Sequence, residues 1–152
     1  MKQVKDIIEG IECRVVGSTA VEVSALALDS RRVVSGTMFF AVVGTATDGH
    51  AYIEGAVASG AVAVVCRRLP EVLNEQVCYV VVEDTSAVVG QMASNFYDRP
   101  SEQLKLVGIT GTNGKTSSTL LLKHVLEQVL RAQVGLMGTM ENMIGHTSIP
   151  TE

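Results

Sequence analysis

The chain has 152 residues, of which 47% are hydrophobic and 18% charged, and its formal net charge is −4. This balance is typical of a packed globular protein and excludes a disordered chain. The negative charge offers no broad attraction to nucleic acid or to an anionic membrane, so we expect neither partner. Any anionic ligand must therefore be bound by a local arrangement of donors.

The sequence favours a cytoplasmic location. The first ten residues contain four charged side chains and lack the apolar run of a secretory signal. The apolar run Ala61 to Cys66 is far shorter than the ~20 residues that span a bilayer. The three cysteines are widely spaced in apolar stretches, which favours free thiols in a reducing compartment over a disulfide or a zinc site.

Strand and helix patterns alternate along the first hundred residues. Val21 to Leu28 alternates with period two and predicts one half-buried strand, and apolar runs predict strands at Thr37–Val43, Ala61–Cys66 and Val77–Val82. Between them, Asp48 can cap a helix that Gly60 ends, and Thr85 or Ser86 can cap a helix that Pro100 ends. The helical apolar positions are Tyr52, Ile53, Ala56 and Val57 in the first helix and Val89, Met92, Ala93 and Phe96 in the second.

The last third of the chain has the pattern of a strand, a glycine-rich loop and a helix. Leu104–Ile109 predicts a strand and Thr116–Arg131 a helix, and Gln133–Met137 can return as a parallel strand through a right-handed crossover. The apolar face of that helix is expected at Leu121, Val125 and Val129, flanked by Leu122, Leu126 and Leu130. The polar stretch Arg99–Gln103 indicates a domain boundary, with residues 1–101 and 102–152 on either side.

The loop between Gly108 and Thr116 has the residues that a bound triphosphate needs. Its glycines let backbone amides turn toward anionic oxygens, and the following helix N-terminus adds partial positive charge. Lys115 can reach terminal phosphates, and the Thr116 hydroxyl can bind the accompanying magnesium. Ile109 stands where the common P-loop pattern has glycine, and the glycine spacing does not match the dinucleotide-binding fingerprint. The alternative is a glycine-rich turn that only joins a strand to a helix.

Two segments resemble a known family. The loop GITGTNGKTSS, residues 108–118, resembles the short P-loop of the Mur ligases and of folylpolyglutamate synthetases. The segment LDSRRVVSGTMFFAVVGTATDGHAYIEGAVASGAVAVV, residues 28–65, resembles the N-terminal UDP-binding domain of MurE- and MurF-type Mur ligases, which folylpolyglutamate synthetases lack. The GTNGKT form of the loop is similar to the MurE type.

The resemblance implies an α/β fold and a ligase activity. A small mixed α/β UDP-binding domain, residues 1–101, would precede the first β–P-loop–α–β unit of an incomplete parallel-sheet ATPase domain, residues 102–152. Such enzymes use ATP and Mg²⁺ to join a diamino acid, meso-diaminopimelate or L-lysine, to UDP-N-acetylmuramoyl-L-alanyl-D-glutamate through an acyl phosphate. A MurF-type ligase and a non-enzymatic nucleotide-binding module remain alternatives.

The resemblance also assigns site residues by match to the family motifs. Lys115 would be catalytic and Thr116 would bind the metal. The residues expected to hold ATP are Gly111, Thr112, Asn113, Gly114, Lys115, Thr116 and Ser117. Those expected to hold the UDP substrate are Leu28, Ser30, Thr45, Ala46 and Thr47.

Further expectations concern the isolated chain and its histidines. The domain that receives the amino acid is missing, so the chain alone is expected to lack ligase activity, whereas the complete enzyme is expected to be a monomer. The truncated second segment should have exposed sheet edges and a bare apolar helix face. We expect His124 to be solvated and His50, within the family-like DGH, to shape its loop. The pairs Arg31-Arg32 and Arg67-Arg68 are expected on exposed faces.

Overall fold

A computed structural model describes residues 1–44, 47–131 and 133–150. The chain divides into two compact units, Met1–Leu104 and Lys105–Glu152. Both strands and helices are present, with parallel and antiparallel pairing, so the mixed α/β fold class predicted from the sequence is confirmed. None of the helices within the described residues is long and apolar enough to span a bilayer.

The first unit is built on a five-stranded sheet with the order β2-β7-β6-β5-β4. Strands β4 to β7 run parallel, and β2 pairs antiparallel with β7 at one edge. A separate two-stranded ribbon pairs β1 with β3. The strands of this unit are β1 Lys2–Gln3, β2 Arg14–Val16, β3 Glu22–Val23, β4 Ala25–Ala27, β5 Thr37–Phe40, β6 Ala61–Cys66 and β7 Cys78–Val81.

Helices cover the sheet. They are α1 Val4–Ile7, α2 Ile53–Ala58, α3 Thr85–Phe96 and α4 Pro100–Gln103, with 3-10 turns at Ser30–Arg32 and Gly49–Tyr52. Along β5, Met38 and Phe40 pack in a cluster with residues of α1 and α3, whereas Phe39 and Ala41 pack in a second cluster with residues of α2. The central strands are therefore buried on both faces, which explains their continuous apolar runs. The strand expected at Ala61–Cys66 is confirmed with the same bounds.

The single strand expected at Val21–Leu28 is wrong, because the chain changes sheets in its middle. Strand β3 ends at Val23 and pairs with β1, and β4 begins at Ala25 and pairs with β5. The intervening Ser24 donates its backbone N–H to the carbonyl of Gly36 at 2.9 Å. Val23 and Ala27 are both buried, but in different clusters.

The helix ends of the first unit agree with the sequence prediction at Asp48 and differ from it at both ends of α3. Asp48 caps the 3-10 turn that leads into α2, as expected. Helix α3 is capped by Asp84, whose carboxylate accepts the Ser86 N–H, and not by Thr85 or Ser86. Asp98 and Arg99 adopt left-handed φ values of 63° and 50° after α3, so Pro100 starts α4 and does not itself end α3.

The second unit has one long helix and an antiparallel sheet. Helix α5 spans Lys115–Leu130, and strands β8 Gly135–Met137, β9 Asn142–Ile144 and β10 Thr147–Ile149 form a meander with the order β10-β9-β8. The expected strand at Leu104–Ile109 is wrong, since no described strand pairs with it. The expected parallel return at Gln133–Met137 is also wrong, because β8 pairs antiparallel with β9 across a short connection.

The buried side of α5 differs from the expected one. Leu121, Val125 and Val129 are 66%, 44% and 71% exposed, whereas Lys123 is only 7% exposed and donates to Glu127 at 2.7 Å. Pairing with a carboxylate one turn away makes burial of an ammonium tolerable. The exposed apolar helix face expected from the sequence is confirmed, and His124 is exposed as expected.

Candidate functional site

A cavity of about 590 Å³ opens at the carboxyl ends of β4 and β5. This edge of a parallel sheet is where open α/β proteins bind ligands, because the loops after successive strands converge there. Of the residues expected to bind the UDP substrate, Leu28, Ser30 and Thr47 line this one cavity. Thr45 and Ala46 lie outside the described residues.

The loop after β4 is shaped by Asp29. Its carboxylate accepts the backbone N–H of Arg31 at 2.9 Å, which caps the 3-10 turn holding Ser30. It also accepts from the Arg31 guanidinium, with Nη2 2.6 Å from Oδ2. Side-chain hydrogen bonding from Arg31, followed by the backbone bond, lowers the pKa of Asp29 from 3.8 to about 2. Arg31 is exposed as expected, and its hydrogen bonds to Asp29 hold its side chain at the edge of the cavity.

The loop after β5 turns back against its own strand. Gly44 donates its N–H to the carbonyl of Thr47 at 2.9 Å, and Gly49 donates to the carbonyl of Val42 at 2.8 Å. A Cβ at Gly49 would lie 2.6 Å from that carbonyl oxygen, so no larger residue fits without moving the backbone. The close approach of Gly49 fixes where Thr47 meets the cavity.

Residues that sequence reasoning missed complete the wall of this cavity. Phe39 and Tyr52 supply aromatic surface and Val42 an apolar side chain. The sequence pattern predicts that Phe39 lies in a strand and that Tyr52 lies on the apolar face of a helix. Neither pattern indicates a ligand site. Helical and strand periodicity report which side of an element is apolar, but they do not report which end of the sheet that element reaches.

A larger cavity, of about 920 Å³, lies at the ends of β6 and β7. Three carboxylates line it, from Glu12, Glu83 and Asp84, together with Arg14 and Arg67. Leu28, Ser30 and Thr47, the described residues among those expected to bind the UDP substrate, do not line it. Because the carboxylates outnumber the cations, it suits an anionic ligand less well than the cavity at β4 and β5.

The glycine-rich loop of the second unit opens helix α5. Gly111 and Gly114 adopt φ values of 147° and 76°, a region that favours glycine. Gly114 is the N-cap and offers no side-chain bond to the first helical amides. The first amides of α5 and the positive end of the helix dipole therefore point toward the space next to the glycine-rich loop. This is the geometry of an anion-binding site.

Lys115 folds back over this loop. Its Nζ donates to the Gly111 carbonyl at 2.6 Å and lies 3.4 Å from the Thr112 carbonyl. The residues expected to hold ATP, 111–117, are consecutive and exposed. Thr116 follows Lys115 in the first turn of α5, where its hydroxyl is exposed. No group of three or more His, Cys, Asp or Glu side chains that could hold a metal occurs among the described residues.

These features define an α/β protein with a cavity at the edge of a parallel sheet and, in a second unit, a helix that begins at a glycine-rich loop. Family models match both parts: "Mur ligase family, catalytic domain" matches residues 22–97 and "Mur ligase middle domain" matches residues 109–152. The chain belongs to the Mur ligase family.

Individual relatives agree with this assignment. Over 144 residues the chain is 46% identical to the UDP-N-acetylmuramoyl-L-alanyl-D-glutamate--2,6-diaminopimelate ligase of Cytophaga hutchinsonii, covering 93% of this chain and 29% of that protein. A solved structure of a ligase with the same name shares 26% identity and a TM-score of 0.73, over 98% of this chain and 30% of the other. The MurF ligase of Thermotoga maritima in complex with ADP shares 26% identity and a TM-score of 0.55, over 72% and 24%. The chain therefore spans less than a third of the length of these relatives.

Proposed function

We propose that this chain is the substrate-binding and phosphate-binding part of an ATP-dependent ligase of peptidoglycan precursor synthesis. The ligase adds a diamino acid to UDP-N-acetylmuramoyl-L-alanyl-D-glutamate in the cytoplasm and works as a monomer. The observation that supports this most directly is the start of α5, where Gly111 and Gly114 have positive φ values and Lys115 Nζ lies over the loop against the Gly111 carbonyl. The 46% identity to a diaminopimelate ligase favours this activity over the MurF type.

The first unit would hold the nucleotide end of the UDP substrate in the cavity at β4 and β5. Leu28 and Tyr52 offer apolar surface for a base, and Ser30 and Thr47 offer hydroxyls for a ribose or diphosphate. Residues 1–101 form the UDP-binding domain in this proposal, and residues 102–152 begin the ATP-binding domain. No broad basic patch is needed, because hydroxyls and amides bind these groups locally.

The second unit would hold ATP, which supplies the phosphoryl group that activates the substrate carboxylate. That step brings several negative charges together, and the protein must offset their repulsion. The Lys115 ammonium and the first amides of α5 provide fixed positive potential at the loop. Asn113, Thr112 and Ser117 would complete the cradle, and the Thr116 hydroxyl would bind Mg²⁺ beside the phosphates.

Replacing Lys115 by alanine tests the cradle. Lys115→Ala removes the ammonium and should abolish ATP binding, measured by calorimetric titration of ATP and Mg²⁺, while the far-ultraviolet circular dichroism spectrum stays unchanged. Lys105→Ala removes an exposed ammonium from the same unit and should leave the affinity as it was. Equal ATP affinity of the unaltered chain and Lys115→Ala would refute the phosphate site.

A titration with UDP separates the ligase from the alternative of a nucleotide-binding module without enzymatic activity. The ligase assignment requires the first unit to bind UDP, whereas such a module binds only ATP. In the full-length protein, incorporation of labelled diaminopimelate into the UDP-linked dipeptide tests the reaction itself. Incorporation of D-alanyl-D-alanine into the UDP-linked tripeptide would instead assign the MurF type.

A further inference from the structure

His50 occupies an enclosed position between the loop after β5 and the end of β6. Its side chain is 6% exposed, and its Nδ1 lies 2.6 Å from Oδ1 of Asp48. Its Nε2 accepts the backbone N–H of Arg67 at 3.0 Å and lies 3.4 Å from that of Arg68. Each ring nitrogen therefore contacts a different segment of the chain.

These contacts assign the proton of the imidazole ring. Nε2 can accept a backbone N–H only when it has no proton of its own, so the ring is neutral and its proton is on Nδ1. The Nδ1–H group donates a hydrogen bond to Oδ1 of Asp48, which also accepts the His50 backbone N–H at 3.0 Å. Because the backbone donor of Arg67 is fixed, the ring is held in one tautomer and one orientation.

The second carboxylate oxygen of Asp48 closes the arrangement. Oδ2 accepts a hydrogen bond from Nη2 of Arg68 at 2.6 Å. The side chains of Asp48 and His50 therefore join the loop after β5 to Arg67 and Arg68, which follow β6. The hydrogen bonds from His50, the backbone one first, lower the pKa of Asp48. The charged residues that line a small cavity of about 370 Å³ together with His50 are Asp48, Arg68 and Glu71.

This set of contacts, which we call the histidine clasp, adjoins the candidate UDP cavity. Asp48 directly follows Thr47, which lines that cavity, and Gly49 packs against the backbone of Val42. The loop after β5, which contributes Thr47 to the cavity wall, is therefore hydrogen-bonded through Asp48 and His50 to the residues after β6. Strand β6 itself does not line the cavity.

We propose that His50 is a positioning residue for the UDP cavity: as a neutral, Nδ1-protonated ring it fastens the loop after β5 to the end of β6, and thereby places Thr47 against the ligand. This role rests on the proposed function, because it presumes that the cavity binds UDP. His50 itself is not among the residues that line the cavity.

Titration with UDP of the chain and of three variants tests the role. His50→Ala removes both ring contacts and should weaken UDP binding about tenfold, the effect of losing one charge-assisted hydrogen bond that orders the loop. His50→Gln places an amide oxygen near the position of Nε2, so it should recover part of the affinity. Ile7→Val destabilises a core cluster whose fully buried residues do not line the cavity, and its UDP affinity should remain unchanged even where its melting temperature falls as far as that of His50→Ala.

The imidazole nitrogens report whether the tautomer that the clasp requires is present. A long-range proton–nitrogen correlation spectrum should show His50 with its proton on Nδ1, before and after UDP is added. A proton on Nε2 would overturn the clasp. Equal UDP affinity in the unaltered chain and His50→Ala would overturn the positioning role while leaving the proposed function intact. Absence of UDP binding by the unaltered chain would overturn both.

Discussion

At the scale of single residues, charges in the first unit are held by short local pairs. Asp29 accepts three donors from Arg31, and its pKa falls from 3.8 to about 2. A carboxyl with a depressed folded-state pKa stabilises the fold above its unfolded pKa, and this contribution is lost as the pH falls through the folded value. The pair is exposed, so solvent screening keeps the effect small.

Asp29→Asn should therefore lower the melting temperature slightly at neutral pH. The difference from the unaltered chain should narrow as the pH falls from about 4 toward 2, since protonation of Asp29 then removes from the unaltered chain the charge that the variant already lacks. Thermal unfolding followed by circular dichroism across this range measures it. Arg31→Ala should show the same convergence, and a pH-independent difference for both variants would contradict the assignment of Asp29.

For the histidine clasp, the sequence predicts the local turn but not the partner of the His50 ring. The motif Asp48-Gly49-His50 indicated a shaped loop, because these residue types cap and turn the chain locally. Its partner could not be deduced, since the Arg67 N–H is 17 positions away and is a backbone group common to every residue. The candidate phosphate loop was easier to predict, because all its residues are consecutive in the sequence.

At the scale of elements, burial on both faces made strands easy to locate and pairing hard to predict. Strand β6 was found with its bounds because every residue in it is apolar. Periodicity cannot tell which strand an element joins, so the break at Ser24 and the antiparallel pairing of β8 with β9 were missed. The exposed apolar face of α5 was predicted, but the burial of Lys123 was not, because it depends on the ion pair with Glu127, which apolar periodicity does not report.

Gly49, at the end of the loop after β5, should tolerate a larger residue poorly. Gly49→Ala would place Cβ 2.6 Å from the Val42 carbonyl oxygen, so the loop must shift and the free energy of unfolding should fall by about 1–3 kcal/mol. Gly55→Ala is the matched control, because nothing lies within 4 Å of its Cβ in helix α2. It should raise the unfolding free energy by up to about 1 kcal/mol. Urea denaturation measures both, and equal effects would show that backbone contact does not limit Gly49.

At the scale of the whole molecule, the two units differ in how completely they bury their apolar residues. The first unit encloses two clusters on either side of its sheet. The second leaves one face of α5 exposed and has an unpaired segment before its glycine-rich loop. Stability is therefore expected to be uneven along the chain, since an exposed segment with few buried contacts opens at little cost in free energy.

Limited proteolysis with thermolysin, which cleaves before bulky apolar residues, tests this difference. Leu106 and Val107 are 70% and 64% exposed in a segment without strand partners, so the first cuts should fall there and release a stable fragment that ends near Leu104. The equally apolar run Ala61–Cys66 is the internal control, because it is buried within the sheet and should resist cleavage. Leu106→Ser with Val107→Ser should slow the first cut without changing the stability of the fragment. Equal cleavage rates in the two segments, or uniform resistance of the whole chain, would contradict the uneven stability inferred from burial.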